Sequence, residues 1–315
     1  MTRVAAIDCG TNSIRLLIAD VDVTESTLVD VVRLMETVRL GEGVDSTGEF
    51  SAAALGRTFA ACERYAAEIR RRGATKIRFV ATSASRDVSN RAEFVRGVEQ
   101  RLGVQPDVIT GDEEAELSFT GAVRALGEEI GSGSALVVDI GGGSTEFVRG
   151  SVSEGVAAAR SVDVGCVRMT ERRLRDDPPT QDQIAAATAD IDAAIAVADA
   201  VVEFSQAHTL VGLAGSVTTV AALALNLEEY DAIAINGSRI SAKQVDEIAD
   251  RLLRMTRAER AALSVMHPGR VDVIGGGALV LDRILKATGL SDVLASEHDI
   301  LDGIAWSLAD ASEVE

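Results

Sequence analysis

Asp139 and Glu146 bracket a turn made of Gly141, Gly142, Gly143, Ser144 and Thr145. Glycines let a chain bend sharply and bring backbone N–H groups close to a ligand that any Cβ would hold off. Carboxylate oxygens at the two ends of such a turn can hold Mg²⁺ over a phosphate. These residue types point to half of a phosphate site. The other half lies near the N-terminus, where Asp8, Gly10, Thr11, Asn12 and Ser13 follow a short apolar run. Laying Asp8 on Asp139 matches Gly10 with Gly141 and Ser13 with Ser144. An Asp-Gly turn after a strand is common, so one copy alone says little. Two copies about 130 residues apart indicate two related halves facing one another.

Phosphate chemistry also asks for cations and a base. Arginines cluster at Arg70–Arg72, at Arg86 with Arg91, and at Arg168, Arg172, Arg173 and Arg175; a solvated helix face is the alternative for each and the plainer reading for Arg70–Arg72. Asp112, Glu113, Glu114 and Glu116 crowd a helix start after Gly111. The helix dipole favours acids there and accounts well for Asp112 and Glu113. One acid of this group turned toward the phosphate loops is a candidate base. Gly215, Ser216 and Thr218 open another helix and form an anion site in principle, although a plain N-cap explains Ser216 equally well. His267 and His298 have no Cys or His at ligand spacing, which argues against zinc. The sequence contains no GxxxxGK[ST] loop, no GxSxG elbow and no dinucleotide GxGxxG.

Composition narrows the setting. The 315 residues, 47% of them hydrophobic, suffice for a large core, and the length favours two domains. No stretch reaches the ~18 uninterrupted apolar residues of a membrane span, and the N-terminus meets Asp8 too early for a signal peptide. Three cysteines without framework spacing fit a reducing cytoplasm. Cys9 and Cys166, with no His beside them, read as small strand-end residues. The net charge of −18 and 3% aromatic content argue against nucleic acid as a partner. They leave a polyanionic substrate open, because charges beyond ~8 Å are largely screened and a local arginine outweighs the global sign.

The elements that must position these residues alternate between strand and helix, so the class is α/β. Apolar runs at Val4–Ala19 and Ala135–Val148 read as hairpins, with further strands at Thr27–Leu40, Lys76–Ala81, Pro106–Ile109, Val156–Val162 and Thr209–Leu213. Ser51 caps a helix that Gly73 ends, a second helix covers Arg91–Leu102, and Thr180 caps a long alanine-rich helix. The triple glycine in Val273–Leu285 lacks an aspartate directly before it and reads as a helix-packing surface. The Gly- and Ser-rich stretch Gly127–Ser134 is the expected boundary, giving a first lobe over 1–127, a second over 128–298 and a C-terminal helix over 299–315 that returns to the first lobe.

The segments DCGTNSIRLLIA, ATSASRD, ITGDEEAELSFTGA, VVDIGGGSTEFV, GCVRMTE and GLAGSVTT occur in this order over nearly the whole chain. In this the sequence resembles the exopolyphosphatase/guanosine-pentaphosphate phosphatase family of the actin, heat-shock ATPase and sugar-kinase superfamily. The resemblance implies two duplicated actin-like (ribonuclease H-like) lobes around a phosphate-binding cleft. It implies an exopolyphosphatase that releases terminal orthophosphate from inorganic polyphosphate, and by extension from guanosine pentaphosphate to give tetraphosphate. The cofactor would be Mg²⁺ or a similar ion such as Mn²⁺, and the protein a cytoplasmic homodimer. Carried over residue by residue, the catalytic glutamate falls on Glu114 and the phosphate-binding arginine on Arg86. The two loops fall on Gly10, Thr11, Asn12, Ser13 and on Gly141, Gly142, Gly143, Ser144, Thr145. The metal-associated acids fall on Asp139 and Glu146, with Asp8 as a further candidate. Two other readings of the cleft are a phosphotransferase and an alarmone-binding regulator with little turnover.

The sequence departs from the family in three places. Many members carry additional C-terminal domains absent from this sequence, so processivity on very long polymers is not expected. Leu301 stands where members often have an arginine two residues before the glycine, here Gly303. Thr11 replaces a more usual serine and keeps the hydroxyl.

Overall fold

The computed structural model describes residues 1–86 and 88–310. Asp87, which closes the ATSASRD segment, and the last residues of the expected C-terminal helix lie outside them. In chain order the elements are β1 (Thr2–Cys9), β2 (Ser13–Asp22), β3 (Thr27–Thr37), α1 (Val44–Thr47), α2 (Ala52–Arg72), β4 (Lys76–Ala81), α3 (Arg91–Leu102), β5 (Asp107–Val108) and α4 (Gly111–Ile130). There follow β6 (Ala135–Ile140), β7 (Thr145–Ser151), β8 (Gly155–Val162), α5 (Cys166–Arg172), α6 (Gln181–Val202), β9 (Thr209–Leu213), α7 (Ala214–Ala224), α8 (Ala232–Ile235) and β10 (Arg239–Ser241). The chain closes with α9 (Ala242–Arg254), α10 (Arg257–Ala261), α11 (Ile274–Thr288), β11 (Asp292–Ala295) and α12 (Ile300–Asp310). The α/β class expected from the sequence is the one observed.

Two compact units share one plan. The first comprises Met1–Leu117 with the segment from Ile300 onward, and the second Ser118–Asp299. The first sheet has the order β3-β2-β1-β4-β5, and the second β10-β11-β9-β6-β7-β8. In each unit two antiparallel pairs, β1–β2–β3 and β6–β7–β8, are followed by parallel additions, β4 and β5 in one and β9 and β11 in the other. The match extends to the irregularities. The register slips between Ile18 and Ala19 in one unit and between Arg149 and Gly150 in the other, the same distance beyond each hairpin turn.

The expected boundary at Gly127–Ser134 is not where the units divide. The division falls between Leu117 and Ser118, inside α4. The glycine does not end the helix: α4 bends at Leu126, whose φ of −116° is non-helical, and then runs on to Ile130. The start of α4 contributes Leu117 to the first unit's core, so packing rather than the glycine-rich stretch sets the division.

The central strands of each sheet are buried on both faces, which explains their near-continuous apolar runs, whereas the outer strands β3 and β8 are partly exposed. In the first, Ala5, Ile7 and Cys9 point toward α2 and α3, while Val4 and Ala6 point toward α12, with Leu17, Ile304 and Trp306. Asp8 therefore sits on the α12 face, by the two-residue period of a strand. In the second, Leu136, Val138, Ile140 and Phe147 join a core with α6, α7, α9 and α11, and Asp139 alternates away from it. Local signals set several helix ends. The Ser51 and Thr180 hydroxyls accept from Ala54 and Gln183 N–H groups, Thr180 completes a capping box, and Gly73 ends α2 in the left-handed region. Ser216 is not an N-cap: α7 begins at Ala214 after Leu213, and Ser216 is buried in its first turn. The glycines of Val273–Leu285 are buried in α11 against Cys166 and Ser216.

Candidate active site

In the first unit the chain turns at Gly10, whose N–H donates to the Ser13 carbonyl at 3.0 Å. The turn fixes the register so that Asp8 faces Arg15 across the two strands. Arg15 donates to one Asp8 oxygen through Nε at 3.0 Å and Nη2 at 2.7 Å. The Thr11 carbonyl accepts from Gly41 N–H, and the Asn12 carbonyl from Val38 and Arg39 N–H groups, so the segment after β3 grips the turn from its carbonyl side. Asp8, the further metal candidate, has its charge offset by the guanidinium opposite.

β4 hands the chain to Thr82, whose N–H bonds the Cys9 carbonyl, and then through a short 3₁₀ turn to Arg86. Arg86 fixes its Nε on the Ile109 carbonyl at 3.0 Å and forms an ion pair through Nη2 with Glu114. The four acids at the start of α4 separate by environment. Asp112 and Glu116 are exposed, and Glu113 is half-buried and pairs with Arg78 at 2.7 Å. Glu114 is only 8% exposed. Burial thus singles out the acid that the resemblance had indicated, and Arg86 meets it there. A buried carboxylate with a charged partner is a group held in one position.

In the second unit the same turn recurs, with Gly141 N–H donating to the Ser144 carbonyl at 3.0 Å and Asp139 facing Glu146. The two carboxylates are direct cross-strand neighbours on one face of the sheet and are 7% and 1% exposed. Each receives a serine hydroxyl at 2.7 Å, from Ser118 to Asp139 and from Ser161 to Glu146. The loop carbonyls are occupied from behind by the start of α5. Cys166 N–H bonds the Gly141 carbonyl, Val167 and Arg168 N–H groups bond that of Gly142, and Arg168 Nε reaches that of Gly143 at 2.6 Å. Gly165 permits this approach, since a Cβ there would stand 2.5 Å from the Gly142 oxygen. Among the described residues, the N–H groups of Gly142, Gly143 and Ser144 are not spent on backbone acceptors. N–H groups of this kind at a glycine turn are able to face an anion.

Thr145 is fully buried and gives its hydroxyl to the Val164 carbonyl at 2.7 Å, which ties the loop to the segment after β8. Burial pushes the Cys9 and Cys166 thiols up, in keeping with small packing residues and not with thiolate nucleophiles. Sequence reasoning missed Arg15, Ser118 and Ser161. The Asp8–Arg15 spacing repeats that of Asp139–Glu146 and was legible as a cross-strand pair; the serines carried no signal.

Asp139 and Glu146 supply hard oxygen ligands suited to Mg²⁺ or Mn²⁺. Among the described residues no group of three or more His, Cys, Asp or Glu is placed to hold a metal. A cation at this pair would complete its shell with water and phosphate oxygens, the usual way Mg²⁺ is bound. No helix of the described chain is long and apolar enough to cross a membrane.

Known proteins are similar to this chain. Exopolyphosphatase 2 of Mycobacterium tuberculosis is 49% identical over 98% of this chain and 99% of its own length. A guanosine-5'-triphosphate,3'-diphosphate pyrophosphatase of Photobacterium profundum is 32% identical over 92% of this chain and 54% of its own. The crystal structure of an exopolyphosphatase-like protein superposes with a TM-score of 0.94 at 44% identity, over 99% of this chain and all of that one. Residues 17–311 match the Ppx/GppA phosphatase family. With the duplicated sheets, the paired turns and the Arg86–Glu114 pair, these matches establish that the chain belongs to the Ppx/GppA phosphatase family.

Proposed function

We propose that this phosphatase releases terminal orthophosphate from inorganic polyphosphate by direct water attack. The observation that carries the reading is the buried Glu114 carboxylate held by Arg86 at the start of α4. Phosphoryl transfer depends mainly on positioning and charge neutralisation. Loop N–H groups at Gly142, Gly143 and Ser144 and the hairpin residues Gly10, Thr11, Asn12 and Ser13 bind phosphate oxygens. Arg86 presents a planar fork to phosphate while orienting Glu114. Glu114 accepts a proton from water as its oxygen bonds to the terminal phosphorus. The bridging P–O bond then breaks, and the shortened chain leaves with that oxygen. A Mg²⁺ ion held by Asp139 and Glu146 would neutralise charge on phosphate oxygens.

The similarity to the pyrophosphatase of Photobacterium profundum supports guanosine pentaphosphate as a second substrate. A positioned base contributes ~10²–10⁴-fold to rate. Glu114→Gln is expected to lose at least about a hundredfold in phosphate release while still binding polyphosphate by calorimetry. Turnover close to that of the unaltered protein would overturn the assignment. Formation of a nucleoside triphosphate from an added nucleoside diphosphate, with no orthophosphate released in its absence, would make the protein a phosphotransferase. Tight binding of guanosine pentaphosphate without release by the unaltered protein would make it a regulator.

A further inference from the structure

Glu114 sits three residues before Leu117 on the first turns of α4, and the Leu117 backbone is where α12 touches that helix. A Cβ on Gly303 would lie 2.0 Å from the Leu117 oxygen, 2.7 Å from its carbonyl carbon and 3.0 Å from its Cα. All three are backbone atoms, so no side chain can swing aside to admit even a methyl group. The glycine is there because two helix backbones meet at this point.

α12 is itself fixed on three sides. Ile300, Leu301, Ile304, Ala305, Trp306 and Ala309 are buried in the cluster that holds Val4, Leu17, Ile109 and Leu117. Next to Gly303, the buried Asp302 pairs with Arg33 of β3 at 2.7 Å. One turn on, Ser307 accepts from Arg78 Nη1 at 3.0 Å. Arg78 also pairs with Glu113, the residue before Glu114, at 2.7 Å, and with Asp107 at 3.0 Å. The first turn of α4 is thus held from two directions by groups that α12 sets: the Gly303 contact at Leu117 and the Arg78 bridge at Glu113.

We propose that Gly303 is a positioning residue for Glu114, with Arg78 as its partner: the backbone contact between α12 and α4 sets the depth at which the Glu114 carboxylate meets Arg86. The proposal rests on Glu114 being the base. Misplacing a catalytic group by ~1 Å costs on the order of 10²-fold in rate. An added methyl at Gly303 must open the contact by about that much.

The test uses the full chain and phosphate release from polyphosphate, with kcat and KM measured separately and folding followed by circular dichroism. Gly303→Ala is expected to lower kcat about 30–100-fold with KM within about threefold, alongside a lower Tm. Ile304→Val, on the same helix and in the same core, is expected to lower Tm with kcat unchanged; it separates lost stability from lost positioning. If Gly303→Ala does not fold, Arg78→Gln carries the test, with an expected kcat loss of about fivefold at unchanged KM. Should Ile304→Val lower kcat as much as Gly303→Ala, the effect is stability and the proposal fails. Measured alongside, Glu114→Gln separates the two ideas. If Glu114→Gln is inactive while Arg78→Gln and any folded Gly303→Ala keep full kcat, positioning by α12 is overturned and the base stands. If Glu114→Gln keeps turnover, both fall.

Discussion

In the β1–β2 hairpin the residue facing the strand-end aspartate is Arg15; in the β6–β7 hairpin it is Glu146. The backbones otherwise correspond, from the Gly-to-Ser turn bond of 3.0 Å in each to the register slip further along the second strand. One duplicated scaffold thus carries two electrostatic settings. Asp8 has its counter-charge built in, at 2.7 Å. Asp139 and Glu146 place two nearly buried carboxylates side by side, each given one serine hydroxyl. Like charges directly opposite one another in a sheet repel, and burial sharpens the cost. A divalent cation held there, as proposed above, would offset both. On the proposed function, both hairpins would bind phosphate and the second would hold the cation.

Exchanging the facing residues breaks this comparison most directly. Glu146→Arg gives the second hairpin the pairing of the first; it is expected to cost more than about a hundredfold in turnover and to abolish the rise in Tm on adding Mg²⁺. Its mirror image, Arg15→Glu, is expected to lose about 3 kcal/mol by urea unfolding, because it leaves Asp8 facing a like charge in a largely buried position. Mg²⁺-dependent turnover surviving in Glu146→Arg would place the cation elsewhere.

A smaller effect sharpens the same point. Ser118→Ala and Ser161→Ala each remove one orienting hydroxyl, and each is expected to weaken Mg²⁺ about tenfold by calorimetry. The accompanying stability change is about 1 kcal/mol. An unchanged Mg²⁺ affinity in both would mean that the hydroxyls merely satisfy buried carboxylates.

The smallest effect concerns pH. All three histidines, His208, His267 and His298, belong to the second unit. Burial, and then Arg270, hold His267 below its ordinary value of 6.5. The folded state therefore binds this proton less readily than the unfolded chain. Its contribution is complete above pH 6.5 and is lost progressively as the pH falls toward the folded-state value. Asp20, held down by its bond from Arg3, loses its contribution only below its ordinary 3.8, outside that window. His267→Gln is accordingly expected to flatten the change in urea midpoint between pH 7 and pH 5; an equally steep change would shift the acid sensitivity to other groups.

Much of the fold was legible because the signals are local. The bounds of β4, α3 and β9, the caps at Ser51 and Thr180 and the glycine stop at Gly73 all depend on residues within about a turn of one another. The Asp8 and Asp139 turns were legible as a repeat because their residue types had survived in parallel. Two local readings failed: the units do not divide at Gly127–Ser134, and Ser216 does not cap α7, which begins at Ala214.

The sequence by itself determined the α/β alternation, the two glycine turns, the acids at the start of α4 and, through resemblance, the family. Only the tertiary structure decided which acid is buried, that the Thr145 hydroxyl bonds the Val164 carbonyl, that Arg15 offsets Asp8, and that the units part within α4. It also decided that Gly303 lies against Leu117, far from it in the chain. Turn and helix preferences act over a few residues, whereas burial and charge pairing depend on which distant segments the packed core brings together.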